Sequence, residues 1–389
     1  TNDEPDKARG RSRPERNDHA GLRPDAVPAK ELIGDDRSWS VAEGHPWRAP
    51  TKWVVAKSVG PARDVKAERV NIVVPDDFPS VFKGTEAHKR AMELGEVAVF
   101  SERGADQEEE LLRRLGRARV AINIRAHAKF TEPVFRACPT LKLVSVWGTG
   151  VDNVDLHAAG WNGVTVCNTP GVNANAVAEH ALTLMLAVAR RVPALDQAMR
   201  GGQWPRELLT QLLGKTLGVF GLGTIGSRVA TLGKALGMNV LAWSARGDEM
   251  RAQAVGARPA SKEEILRAAD VVRLHVRLEP ETRGLLGRKE FALMKPTAIL
   301  INTGRGALVD REALLDALRE RKIQGAGLDV FHEEPLKPDD PILALPNVVL
   351  SPHIAGQTPE VIRDGLLRAV QNVENFLKGS PTDVVVQPA

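Results

Sequence analysis

The chain has 389 residues, is 43% hydrophobic and 26% charged, and carries a formal net charge of +4. That is enough apolar material for two buried cores, so wholesale disorder is excluded. Basic and acidic side chains are interspersed from the first residues onward, which argues against a nucleic-acid-binding arm, and Cys138 and Cys167 stand in no metal or disulfide pattern.

The most apolar helical run, Ala176 to Val188, is interrupted by Glu179 and His180 and is too short to cross a bilayer. No basic-then-apolar signal sequence opens the chain. The expectation is a soluble, cytoplasmic protein of a reducing compartment, with no membrane, nucleic-acid or metal partner.

Residues 1–68 read as an extension. Up to Asp36 they are rich in charge, Pro and Gly with little periodicity. Trp39, Trp47 and Trp53 then offer a surface to pack on the body or on a partner subunit; the alternative is an extension with no role in chemistry.

From Val70 short β-branched runs alternate with helical stretches: Val70–Val74, Val97–Phe100, Val120–Ile124, Leu143–Val146 and Val164–Cys167. A long Ala/Leu-rich helix follows, from Ala174 to Arg191. A second series begins at Thr216, with strands at Leu217–Phe220, Val240–Trp243, Val271–Val276, Ala298–Asn302, Gly325–Val330 and Val348–Leu350. Strand–helix alternation predicts parallel sheets. Two such series predict an α/β protein of two doubly wound, Rossmann-like domains. The last helix, about 359–377, and the run Val384–Val386 are expected to cross back to the first.

Gly221-Leu-Gly223-Thr-Ile-Gly226 directly follows an apolar strand and opens a helix. The first glycine permits the tight turn, the second lets backbone approach a pyrophosphate, and the third lets helix and strand pack closely. The helix N-terminus faces the phosphates with free N–H groups. The alternative is a glycine-rich turn packed for its own sake.

Three ionisable residues stand just past strands of the second series: Arg305, Glu334 and His353. In an open parallel sheet the carboxyl ends of the strands face one crevice. Singly, each reads as an ordinary surface group. Together they offer a carboxylate anchor and an oriented acid–base histidine, suited to ketone/alcohol chemistry.

From about Val70 to the C-terminus the chain resembles the D-isomer-specific 2-hydroxyacid dehydrogenases. The resemblance rests on Gly148-Thr-Gly150-Val-Asp152-Asn-Val-Asp155, Asn168-Thr-Pro170-Gly171, Ala176-Val-Ala-Glu179-His180 and the glycine turn. It rests also on Asn302-Thr-Gly-Arg305-Gly306, Leu328-Asp329-Val-Phe331, Glu334-Pro335 and Ser351-Pro-His353. It implies a cofactor domain over 173–357, inserted in a substrate domain built from 69–172 and 358–389. It implies reduction of a 2-keto acid with NAD or NADP: His353 as acid/base supported by Glu334, and Arg305 as carboxylate anchor. Gly148, Thr149, Gly150 and Arg125 would hold substrate, with Arg125 or Lys129 reaching a second anionic group. Gly221, Gly223, Thr224, Ile225, Gly226, Ser244, Arg246, His275, Thr303, Asp329 and Gly356 would line the cofactor site, with Asp329 orienting the nicotinamide carboxamide. It further implies a homodimer, with Ala174–Arg191 and the following residues to Gly214 as its contact.

Two features bear on the cofactor. The strand ending at Trp243 is followed by Ser244 and Arg246 where an NAD-binding fold places an acid, so NADP is favoured. Arg277 stands where the family usually has proline. Competing readings are a formate or phosphite dehydrogenase and a dinucleotide-sensing, corepressor-like protein. Glu334 argues against formate chemistry, which pairs its histidine with glutamine.

Overall fold

The computed structural model describes residues 70–124, 127–244 and 249–388. The extension over 1–68 with its tryptophans, and also Arg125 and Arg246, lie outside the described residues.

The first sheet is built from β1 (Val70–Val74), β2 (Gly95–Val99), β3 (Val120–Asn123), β4 (Leu143–Val146) and β5 (Thr165–Cys167). The second takes β6 (Thr216–Phe220), β7 (Asn239–Trp243), β8 (Arg258–Pro259), β9 (Val271–Leu274), β10 (Ile299–Asn302), β11 (Gly325–Leu328) and β12 (Val348–Leu350). The final strand, β13 (Val384–Val386), returns to the first sheet and pairs antiparallel with β5. The orders are β13-β5-β4-β3-β1-β2 and β12-β11-β10-β9-β6-β7-β8, the second parallel throughout. The protein is therefore α/β with two Rossmann-like sheets, and the one containing the glycine turn is inserted in the other.

Each sheet buries apolar side chains on both faces, as crossover topology requires. Helix Ala174–Ala189 leads into the second sheet and buries Ala178, Ala181, Leu184, Met185 and Val188 against it. It stops two residues before the expected Arg191, which sits at a left-handed φ of 50° and starts a separate helix, Val192–Arg200, with proline in its first turn. Helix Pro359–Leu377 returns to the first sheet, capped by the Thr358 hydroxyl on the Val361 N–H and packed on β3, β4 and helix Glu86–Leu94. Among the described residues no helix is long and apolar enough to cross a membrane.

Candidate active site

The Arg305 turn is shaped by Asn302, the last residue of β10. Its Oδ1 accepts the Gly304 N–H at 3.0 Å, and its Nδ2 donates to the Arg305 carbonyl at 2.9 Å. Gly306 then lies against backbone: a Cβ there would come within 2.1 Å of the Phe331 carbonyl carbon. That contact docks the arginine turn on the segment carrying Glu334.

Glu334 is fixed at both oxygens. Oε1 accepts the Phe331 N–H at 2.8 Å, and Oε2 meets His353 Nδ1 at 2.6 Å. Burial works to raise its pKa, but the hydrogen bond and charge of His353, the Phe331 N–H and the nearby Arg305 cation prevail and hold the carboxyl below its usual range. It is a carboxylate at neutral pH. With Nδ1 occupied, His353 has Nε2 left for proton exchange.

The His353 loop is clamped from beneath by Asp329, which has no exposed surface. Its Oδ1 accepts the Ser351 hydroxyl at 2.6 Å and the Ile354 N–H at 3.0 Å; its Oδ2 accepts the Ala355 N–H at 3.0 Å. His180, on the helix leading into this domain, reaches Ser351 Oγ at 2.8 Å. The anchoring matters because His353 itself sits at a left-handed φ of 53°, uncommon for a side-chain-bearing residue. Asp329 thus holds the histidine loop, a role that sequence reading did not assign to it.

Arg305 reaches across to the first sheet's domain. Its Nε–H donates to Asp152 Oδ2 at 2.7 Å and Nη1 to the Gly304 carbonyl at 2.9 Å. Nη2 faces Gly150 so closely that a Cβ there would lie 1.8 Å from it. Gly148 takes a φ of 136°, and its N–H donates to Thr169 Oγ1 at 2.7 Å. That N–H is spoken for, which leaves the Thr149 and Gly150 N–H groups without an acceptor among the described residues. Around them, Asn153 Nδ2 ties the loop to the Ala128 carbonyl and Asp155 caps the next helix. Asp152 and Thr169 are site residues that sequence reading quoted within motifs but gave no role. Lys129 is exposed.

The glycine turn suits a dinucleotide. Gly221 takes a φ of 96°, and a Cβ on it would meet the His275 carbonyl oxygen at 2.7 Å. A Cβ on Gly226 would lie 1.9 Å from the Gly221 oxygen, whereas Gly223 has nothing within 4 Å of its own. The first and third glycines are demanded by packing, and the second borders open space where a pyrophosphate would approach. Thr224 and Ile225 form the first turn of helix Thr224–Ala235, whose N-terminus lies at that space. His275 Nε2, Thr303 Oγ1 and Asn173 Oδ1 are buried without hydrogen-bond partners, and Asn173 packs beside Gly356. Buried polar atoms normally find partners, so these fit a polar group absent from the chain itself. Ser244, just past β7, is partly exposed, and Arg277 is exposed.

The profile of the D-isomer specific 2-hydroxyacid dehydrogenase NAD-binding domain matches residues 182–355. A D-3-phosphoglycerate dehydrogenase of Archaeoglobus fulgidus is 40% identical over 275 residues, 70% of this chain but 52% of that one. This chain thus spans about half the length of that relative. A glyoxylate reductase of Aeropyrum pernix is 45% identical over 250 residues, covering 62% of this chain and 75% of the reductase. Among solved structures, an acyclic imino acid reductase in complex with NADPH and D-Arg superposes with a TM-score of 0.75 at 30% identity, covering 82% of this chain and all of that one. With the cofactor turn, the His353–Glu334 pair and Arg305 in one cleft, the chain belongs to the D-isomer specific 2-hydroxyacid dehydrogenase family.

Proposed function

We propose that the protein interconverts a 2-keto acid and the corresponding D-2-hydroxy acid, with glyoxylate, hydroxypyruvate or a phosphoglycerate-type acid as substrate. The observation that carries this is the 2.6 Å contact between His353 Nδ1 and the Glu334 carboxylate, beside Arg305. A bound nicotinamide dinucleotide supplies the hydride. Arg305 and the Thr149 and Gly150 N–H groups grip the substrate carboxylate and orient the ketone. His353 Nε2 delivers a proton to the ketone oxygen in reduction and removes one from the alcohol in oxidation, while ionised Glu334 holds the ring and balances its charge. The substrate domain is 69–172 with 358–389, and the cofactor domain is 173–357.

NADP is the cofactor this reading favours. Ser244 follows β7 with no charge to repel a 2′-phosphate. Arg251 donates to the Leu222 carbonyl at 3.1 Å, and Lys262 Nζ lies 5.4 Å from the centre of the Trp243 ring. Both bring positive charge to that end of the cleft. Oxidation of NADPH and NADH by the purified protein with a panel of 2-keto acids tests substrate and cofactor together. Turnover with a greater kcat/KM for NADPH, reduced in Arg246→Ala, is expected. Tight dinucleotide binding without turnover on any acid would favour the sensor reading instead.

The assembly favoured is a homodimer. Val192, Met199, Trp204, Leu208 and Leu213 are exposed large hydrophobic residues on and after helix Val192–Arg200. Such clustering marks a contact surface. Light scattering at micromolar concentration should give twice the chain mass. Buried, free Cys138 and Cys167 suit the cytoplasm.

A further inference from the structure

Arg273, on β9 in the middle of the second sheet, is the largest fully buried side chain among the described residues, with 1% of its surface exposed. Its Nε and Nη2 have no hydrogen-bond partner, and no carboxylate pairs with it among the described residues. Burial lowers its pKa to about 9, which leaves it a cation at neutral pH. An isolated buried charge costs several kcal/mol unless something compensates it. Such a group is explained by an anion that the folded chain does not itself provide.

Its position indicates which anion. Arg273 is in register with Val219 of β6 and Ile301 of β10, two buried side chains of the core that lies under helices Thr224–Ala235 and Ala174–Ala189 respectively, on one face of the sheet. It shares a face of β9 with His275, two residues on, because strand side chains alternate. A Cβ on Gly226 would sit 3.4 Å from His275 Cβ, so that face lies against the turn. Burial and the nearby Arg273 cation push the His275 pKa well below its usual value, so this neighbour is neutral. Arg273 sits about 6.6 Å, one pleat, below His275, which lies just past the strand's end. A long side chain spans that distance.

We propose that Arg273 is a cofactor-binding residue whose buried guanidinium pairs with the pyrophosphate of the dinucleotide lying over the Gly221–Gly226 turn. The proposal rests on the dinucleotide reading of that turn. It adds a second source of positive charge, from within the sheet, to the N–H groups of the helix N-terminus. Contacts to a charged partner are the stronger kind of hydrogen bond, and here water is largely excluded.

The test is direct binding of NADPH and NADH to the full chain by calorimetry, at several salt concentrations, beside the melting temperature without ligand. Arg273→Met removes the charge at similar length. It should weaken both dinucleotides at least tenfold and flatten the salt dependence. Adenosine, which has no phosphate, should bind both proteins alike. The unliganded variant should melt at the same or a higher temperature, since an uncompensated charge is gone. Arg273→Lys keeps a charge without the fork; it should bind with intermediate affinity and serves if the methionine variant does not fold. Wild-type dinucleotide affinity in a folded variant would overturn the proposal, as would a lower melting temperature with affinity unchanged, which marks a purely structural role. Failure of the unmodified protein to bind either dinucleotide would instead overturn the reading of the turn, and this proposal with it.

Discussion

The Arg305 guanidinium is held by Asp152, Nε to Oδ2 at 2.7 Å, although the two residues are 153 positions apart and belong to different sheets' domains. With Nη1 on the Gly304 carbonyl, the pair sets Nη2 against the Gly150 loop. Asp152 thereby acts on substrate through Arg305, as a positioning residue. Arg305→Ala should reduce kcat/KM for the keto acid by about 3–5 kcal/mol of transition-state stabilisation, with dinucleotide affinity nearly intact. Asp152→Asn should cost about tenfold to a hundredfold, chiefly in KM, because the fork stays but its aim loosens. Equal kcat/KM in Asp152→Asn and the unmodified protein would disconnect the pair from substrate.

The His353–Glu334 pair sets a pH dependence of opposite sign in the two directions. Ketone reduction requires a proton on His353 and should slow as pH rises, whereas alcohol oxidation requires its absence and should slow as pH falls. Glu334→Gln removes a negative charge from Nδ1, so both profiles should move to lower pH and kcat should fall. Profiles that stay in place while kcat falls would restrict Glu334 to steric support.

Asp329 should make the fold sensitive to acid. Burial raises its pKa, but the hydrogen bonds from His180, Ser351, Ile354 and Ala355 outweigh this and hold it below the usual value. A depressed folded-state value means that its contribution is complete above the unfolded value, near pH 4, and is lost as pH falls through the folded one. Asp329→Ala should therefore lower stability at neutral pH by about 1–3 kcal/mol, as buried donors lose their acceptor. It should also flatten the acid limb of melting temperature against pH. An acid limb unchanged in the variant would refute the assignment.

Two glycines of the turn should fail differently. Gly226→Ala forces a Cβ to within 1.9 Å of the Gly221 oxygen, so it should lower the melting temperature even without ligand. Gly223→Ala has free space and an ordinary φ of −68°, so the protein should melt normally yet bind dinucleotide much more weakly. Equal affinity in Gly223→Ala and the unmodified protein would place the cofactor elsewhere.

Much of the architecture was legible in the chain. Strands β1, β4, β12 and β13 begin and end where β-branched runs predict, because each is a short, near-continuous apolar stretch. The pattern failed at the opposite edge of each sheet, at β2 and β8. β2 starts at Gly95, two residues early, and β8 is only Arg258–Pro259, too short for periodicity to register. The helix expected to reach Arg191 breaks there because that residue turns left-handed, a choice that apolar spacing does not encode.

By itself the sequence determined the kinds of chemistry available: a glycine turn after a strand, and an arginine, a carboxylate and a histidine each just past a strand, all on the carboxyl edge of one sheet. Local spacing suffices for that, since strand direction and the short loops carry it. Only the tertiary structure decided the partnerships. It set Asp152 on Arg305 across the cleft, drew the Gly148 N–H to Thr169, and committed Asp329 to the loop beneath His353. It also buried Arg273 without a counter-charge. Each outcome depends on which side chains meet after segments far apart in sequence pack together, and hydrogen bonding and desolvation act only at those final distances.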